Sequence, residues 1–138
     1  MSLENRALVR KVMEEILNRK RTGLVETMYA PFCYGHSPDG PFRTRDGFRV
    51  LIDRYVRAFP DLRVDIQSMI DHDDWVAMHY TFSGTNDGPL GIIPATGRPL
   101  NLPCFVVTRI EGERIVEQNF MWDSFSARCQ LQSQALAA

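Results

Sequence analysis

The side chains in this 138-residue chain that can move or orient a proton fall in a few short stretches. His36 stands between Tyr34 and Asp39 in a segment rich in proline and glycine. An imidazole titrating near neutrality can relay a proton or orient a carbonyl there, or simply serve a loop. Gln118, Phe120 and Trp122 alternate along a strand-like run and so share one face, where the Gln118 amide can donate to a bound carbonyl or enolate oxygen. Asp123 comes directly after Trp122 and ahead of Ser124-Phe125-Ser126, which reads more readily as a helix cap than as an acid in a site. His79 and Tyr80 are adjacent in a strand pattern and must point to opposite faces; the ring and hydroxyl of Tyr80 suit a pocket better.

Other combinations carry less. His72 lies among Asp71, Asp73 and Asp74, a metal-ligand set in composition, but contiguous residues of a tight turn cannot all converge on one ion. Cys104 shares a strand face with Val106 and reads as an inert thiol lining an apolar space, since no histidine is placed beside it. Cys33, Cys104 and Cys129 show no CxxC spacing, which fits free thiols in a reducing compartment such as the cytoplasm. No GxGxxG, Walker or HExxH pattern occurs, so the residues call for no cofactor and no metal.

These residues need a scaffold, and hydrophobic spacing supplies one. Leu3, Ala7, Leu8, Val12, Ile16 and Leu17 predict a helix over 3–19, with Ser2 as its cap. A short helix is expected at 22–29, ended by Pro31, then an irregular loop from Cys33 to Arg45. Asp46 reads as the cap of a third helix through Phe59, stopped by Pro60, with Phe48, Leu51, Ile52, Tyr55 and Val56 as its apolar stripe.

Four antiparallel strands follow. Leu62, Val64 and Ile66 alternate with charged and polar residues, Trp75 to Gly84 reads as a central strand, and 100–110 with 114–122 form a hairpin about Glu111-Gly112-Glu113. Thr85 to Gly97 is a Gly- and Pro-rich loop whose Leu90, Ile92 and Ile93 can fold back over something, and Phe125 to Ala138 is weakly helical. Helices first and a sheet second imply one α+β domain over 1–138.

Bulk properties exclude some classes. The formal charge of -1, from 16 basic and 17 acidic residues, argues against a nucleic-acid surface. The basic residues of the first helix alternate with Glu4, Glu14 and Glu15 and read as a solvated face. The charged start MSLENRALVRKV has no signal-peptide core, and no run is apolar enough for a membrane span.

Several motifs together carry a family resemblance. Pro60-Asp61-Leu62-Arg63-Val64 after a helix, Gly84-Thr85, the run Gly91 to Gly97, and Arg109-Ile110-Glu111-Gly112-Glu113-Arg114-Ile115-Val116-Glu117 resemble a SnoaL-like polyketide cyclase domain of the NTF2-like superfamily, over about residues 5–132. The resemblance implies an α+β cone, with N-terminal helices packed on a strongly curved antiparallel sheet that encloses a hydrophobic pocket. It further implies a homodimer through the open sheet face, with His36 at the pocket mouth.

In the cyclases proper, an aspartate on the last strand works as acid and base in an intramolecular aldol closure, assisted by a histidine on the neighbouring strand. Matched through Arg109-Ile110 and Ile115, those positions fall on Phe120 and Val106, which cannot carry a proton. An asparagine of those cyclases falls at or next to Gly35.

The resulting expectation is a protein that binds a hydrophobic carbonyl-containing small molecule, as an atypical cyclase- or isomerase-like enzyme without the Asp/His pair. His36 is then the candidate catalytic residue, and Tyr34, Tyr80, Cys104, Val106, Gln118, Phe120 and Trp122 line the pocket. The alternative is a non-catalytic small-molecule-binding or dimeric interaction protein of the same fold.

Overall fold

Apolar spacing at the N-terminus gives a helix whose end is tied to the sheet edge. The computed structural model describes residues 2–132. Helix α1 (Ser2–Lys11) runs on as a π-helix over Val12–Asn18, and Val9, Val12, Met13, Ile16 and Leu17 are buried along one side. Leu3, expected in that stripe, is exposed because it precedes the part of the helix that meets the sheet. Asn18 closes the helix by imitating a neighbouring strand. Its Nδ2 donates to the Val64 carbonyl at 3.0 Å and its Oδ1 accepts from the Val64 amide at 2.7 Å. Both polar backbone groups of an edge residue are thereby satisfied.

A 3₁₀ turn (Thr22–Leu24) and a short α2 (Val25–Met28) lead straight into a strand rather than a loop. Strand β1 (Tyr29–Ser37) and β2 (Gly40–Phe42) form a hairpin about the two-residue turn Pro38-Asp39. This corrects the expected loop from Cys33 to Arg45. Prolines there do not forbid a strand, because Pro31 lies where the β1–β6 register is interrupted and Pro38 lies in the turn.

Helix α3 (Arg45–Ala58) follows, capped by Thr44, whose Oγ1 accepts from the Gly47 amide at 3.0 Å; Asp46 sits in the first turn instead of capping. The remaining strands are β3 (Arg63–His72), β4 (Trp75–Thr85), β5 (Pro99–Glu111) and β6 (Arg114–Met121), and α4 (Ser124–Leu131) completes the described chain. The part of the expected C-terminal helix beyond residue 132 lies outside the described residues.

The six strands form one sheet in the order β2-β1-β6-β5-β4-β3. β1 runs parallel to β6 and every other pairing is antiparallel, so the sheet is mixed rather than wholly antiparallel. The strict alternation of β5 turns Leu100, Leu102, Cys104, Val106, Thr108 and Ile110 inward. Register shifts between Ile66 and Ser68 and between Arg109 and Ile110 are the bulges that bend such strands. No helix among the described residues is long and apolar enough to cross a membrane.

The segment 86–98 is braced rather than loose. Asn86 is buried; its Nδ2 donates to the Gly88 carbonyl at 2.8 Å, and its Oδ1 accepts from the Thr96 amide and hydroxyl at 3.1 and 2.9 Å. A turn of chain held by one amide places Leu90 over the space between helices and sheet.

Candidate functional site

Helix α3, the inner face of β4, β5 and β6, and α4 together leave a cavity of about 90 Å³. Its walls are Leu17, Leu51, Ile52, Tyr55, Tyr80, Phe82, Leu90, Leu100, Leu102, Cys104, Phe120, Trp122, Ala127 and Leu131. Each strand contributes alternate residues because the inner face repeats every second position. The wall is apolar except for two tyrosine hydroxyls, one thiol and one indole. No side chain on it titrates near neutrality.

Tyr80 and Cys104 face one another as a register pair of β4 and β5. Burial pushes the Cys104 thiol up to about 11 and the Tyr80 hydroxyl well above the usual phenol range. Both groups are therefore neutral at physiological pH and can only offer hydrogen bonds.

A second space of about 160 Å³ adjoins the first and shares Tyr55, Leu90, Trp122, Ala127 and Leu131 as walls. Here the lining turns polar, with Asp39, Asn86, Thr96, Ser124, Arg128 and Gln132 around the apolar residues. The Tyr55 ring is fixed at the boundary: it stacks on Phe59 and meets Phe82 and Trp122 edge to face. Its hydroxyl donates to Asp39 Oδ2 at 2.5 Å. Burial first, then the bond to Asp39, raises Tyr55 far above the phenol range, so the proton stays on the tyrosine.

The expected pocket residues divide. Tyr80, Cys104, Phe120 and Trp122 line the cavity. Val106 shares their face but is packed deeper, opposite Met78 and Phe120 in the ladder. Gln118 is fully buried and both ends of its amide are occupied: Oε1 accepts from the Tyr29 hydroxyl at 2.5 Å and Nε2 donates to Thr108 Oγ1 at 3.1 Å.

His36 and Tyr34 lie on the other face of the sheet. His36 is exposed between buried Gly35 and Ser37, and it pairs in register with Asn119. The β1–β2 hairpin reaches the mouth through Asp39 instead, because alternation after Ser37 is broken by the turn. Asp123 caps α4, accepting from the Ser126 amide at 3.0 Å. His72 meets Asp73 at 3.3 Å in the exposed β3–β4 turn.

The outer face has its own order. Tyr34 donates to Glu117 at 3.0 Å, Arg109 donates to both Glu117 and the Tyr34 hydroxyl, and Asn119 donates to Glu117 at 3.0 Å. Burial works against the Glu117 charge, yet the hydrogen bonds from Asn119, Tyr34 and Arg109 hold its carboxyl below the usual range. Beside this cluster Phe105, Val107 and Met121 are 55%, 40% and 64% exposed, and the His79 ring stacks on Phe105 at 4.6 Å. An apolar patch of this kind on a sheet face suits a partner surface.

Sequence reasoning missed the pairing of Tyr55 with Asp39. Tyr55 reads as one more apolar residue of the α3 stripe, although a tyrosine in such a stripe needs a partner for its hydroxyl. That requirement was the available signal. Its answer lay 16 residues away, in the turn of a hairpin that the prolines disguised.

A family model described as SnoaL-like polyketide cyclase matches residues 7–131. No curated protein sequence matches the chain. Among solved structures, a candidate SnoaL-like polyketide cyclase from Jannaschia sp. CCS1 superposes with a TM-score of 0.88 at 14% identity, covering 95% of this chain and 93% of that one. IdmH, a candidate polyketide cyclase from Streptomyces antibioticus, gives a TM-score of 0.78 at 24% identity, covering 92% and 97%. A hypothetical protein with a ketosteroid isomerase-like fold from Catenulispora acidiphila DSM 44928 gives 0.74 at 17% identity, covering 89% and 90%. Likenesses at these identities establish the fold: an α+β, NTF2-like arrangement of helices on one sheet.

Proposed function

The chain belongs to the SnoaL-like polyketide cyclase family, and from that premise we propose that it binds a hydrophobic, carbonyl-containing small molecule between α3 and the sheet. The observation that carries this reading is the graded lining. Apolar walls receive the body of a ligand, and the Tyr80 hydroxyl is available to its oxygen, whereas the Tyr55 proton is committed to Asp39. An inner volume of about 90 Å³ is small for a drug-sized ligand, for which roughly 300 Å³ or more is usual. A bound ring system therefore extends into the polar outer space, with its carbonyl near the boundary.

Phe120 and Val106 stand where the resemblance puts the cyclases' acid–base pair, so the protein acts as an atypical cyclase- or isomerase-like enzyme without that pair. A purely binding role is the second reading, favoured by the lack of any carboxylate or imidazole on the inner wall. We further propose a homodimer through the face bearing Phe105, Val107 and Met121. A monomer by sedimentation at micromolar concentration would remove that part. The three free cysteines suit a reducing compartment such as the cytoplasm.

The test uses 2-tetralone, a bicyclic ketone. Calorimetric titration is expected to give saturable binding with a negative heat-capacity change. Ala127→Phe, which fills the cavity from α4, is expected to weaken it at least tenfold with the fold retained. Binding indifferent to Ala127→Phe places the ligand elsewhere and ends the proposal.

A further inference from the structure

We propose that Asp39 is the catalytic base of this site, acting on the α-carbon of an enolisable ketone held at the boundary between the two spaces, with Tyr55 as its positioning residue. The inference rests on the carbonyl-ligand reading above and adds the reaction. Asp39 is the one carboxylate among the described residues that line either space. Its Oδ2 is held by the Tyr55 hydroxyl, whereas no described residue donates to Oδ1, which leaves that oxygen for a proton.

Both partners are fixed from behind. Tyr55 is clamped by three aromatic rings, and the Asp39 amide donates to Ser37 Oγ at 3.1 Å within the two-residue turn. The carboxylate thus has a set position relative to the apolar wall of Leu90, Trp122 and Leu131. Preorganisation of this kind is what a general base requires. The base comes from the β1–β2 turn, not from the last strand, where Phe120 lies.

The step balances without a cofactor. The α C–H bond breaks and its proton passes to Asp39 Oδ1. The bonding pair becomes the C=C bond of the enolate, and the carbonyl π pair moves onto oxygen. Reprotonation at either carbon of an extended enolate returns the proton from Asp39 and gives exchange or isomerisation. Attack of the α-carbon on a second carbonyl moves that carbonyl's π pair onto its oxygen, which takes the proton from Asp39 Oδ1 and completes ring closure. Tyr55 keeps its own proton throughout and fixes the carboxylate orientation.

The experiment is deuterium incorporation at the α-carbons of 2-tetralone in D₂O, followed by proton NMR, with affinity measured in parallel. The wild-type protein is expected to accelerate exchange above buffer. Asp39→Asn should lower the acceleration by a hundredfold or more, the range for loss of a general base, with affinity within about threefold. Tyr55→Phe should lower kcat about tenfold and leave KM nearly unchanged, a split that a merely structural loss would not give. Binding without accelerated exchange, or exchange unaffected by Asp39→Asn, overturns the inference and leaves the binding reading standing. Absence of 2-tetralone binding overturns both. Asp39 is exposed, so its variant is expected to fold, and circular dichroism checks this.

Discussion

Phe120→Ala should lower the unfolding free energy by about 3–5 kcal/mol, the usual cost of deleting a buried phenyl ring. Phe120 is 8% exposed, packs its ring parallel to Phe48 at 6.1 Å and meets Trp122 edge to face at 6.4 Å. Nothing collapses readily into the gap, because β6 is held on both sides by β1 and β5. The same deletion enlarges the cavity at its inner wall. A tricyclic ketone such as anthrone should then bind better than to the wild type, and by linkage it should recover part of the lost stability. Urea unfolding with and without anthrone measures both effects. A loss under about 1 kcal/mol would show that Phe120 is not a packed wall residue.

Gly35→Ala should be comparably damaging for a different reason. A Cβ at Gly35 would lie 1.8 Å from the Gln118 carbonyl oxygen and 2.9 Å from the Phe42 ring. The obstacle is backbone of the neighbouring strand, so β1 must move away from β6. The pairing of Tyr34, Gly35 and His36 with Glu117, Gln118 and Asn119 is what attaches the β1–β2 hairpin to the sheet. We expect a loss of about 3 kcal/mol or more, and a fall in Tm of roughly 10 °C. Amide exchange should quicken first along β1 and β2, ahead of β4 and β5. A variant with wild-type Tm would mean that the two strands are not in this close register.

The contrast between those two residues shows what the sequence made legible. Phe120 lies in a strand of regular alternation, so its inward direction follows from period two, and the family motifs give it a position in the fold. Helix α3 and strands β3 to β6 were readable for the same reason. Gly35 lies in a segment whose prolines and glycines imitate a loop, and its strand is defined by a parallel partner about 80 residues later in the chain. Local patterning carries no record of such a partner. The mixed sheet, the outward face of His36 and the arrival of Asp39 at the mouth all depend on that pairing. Gln118 illustrates a further limit. Its face was readable, but its occupation by Tyr29 and Thr108 depends on side chains from two other strands.

The central claim, that a hydrophobic ketone is held between α3 and the inner sheet face, is tested most directly by intermolecular nuclear Overhauser effects from 2-tetralone to methyl-labelled protein. The account predicts contacts to the methyl groups of Leu51, Leu102 and Leu131, which line the cavity from α3, β5 and α4. Contacts instead to Val107 and Met121 on the exposed face, or none at saturating ketone, would contradict it.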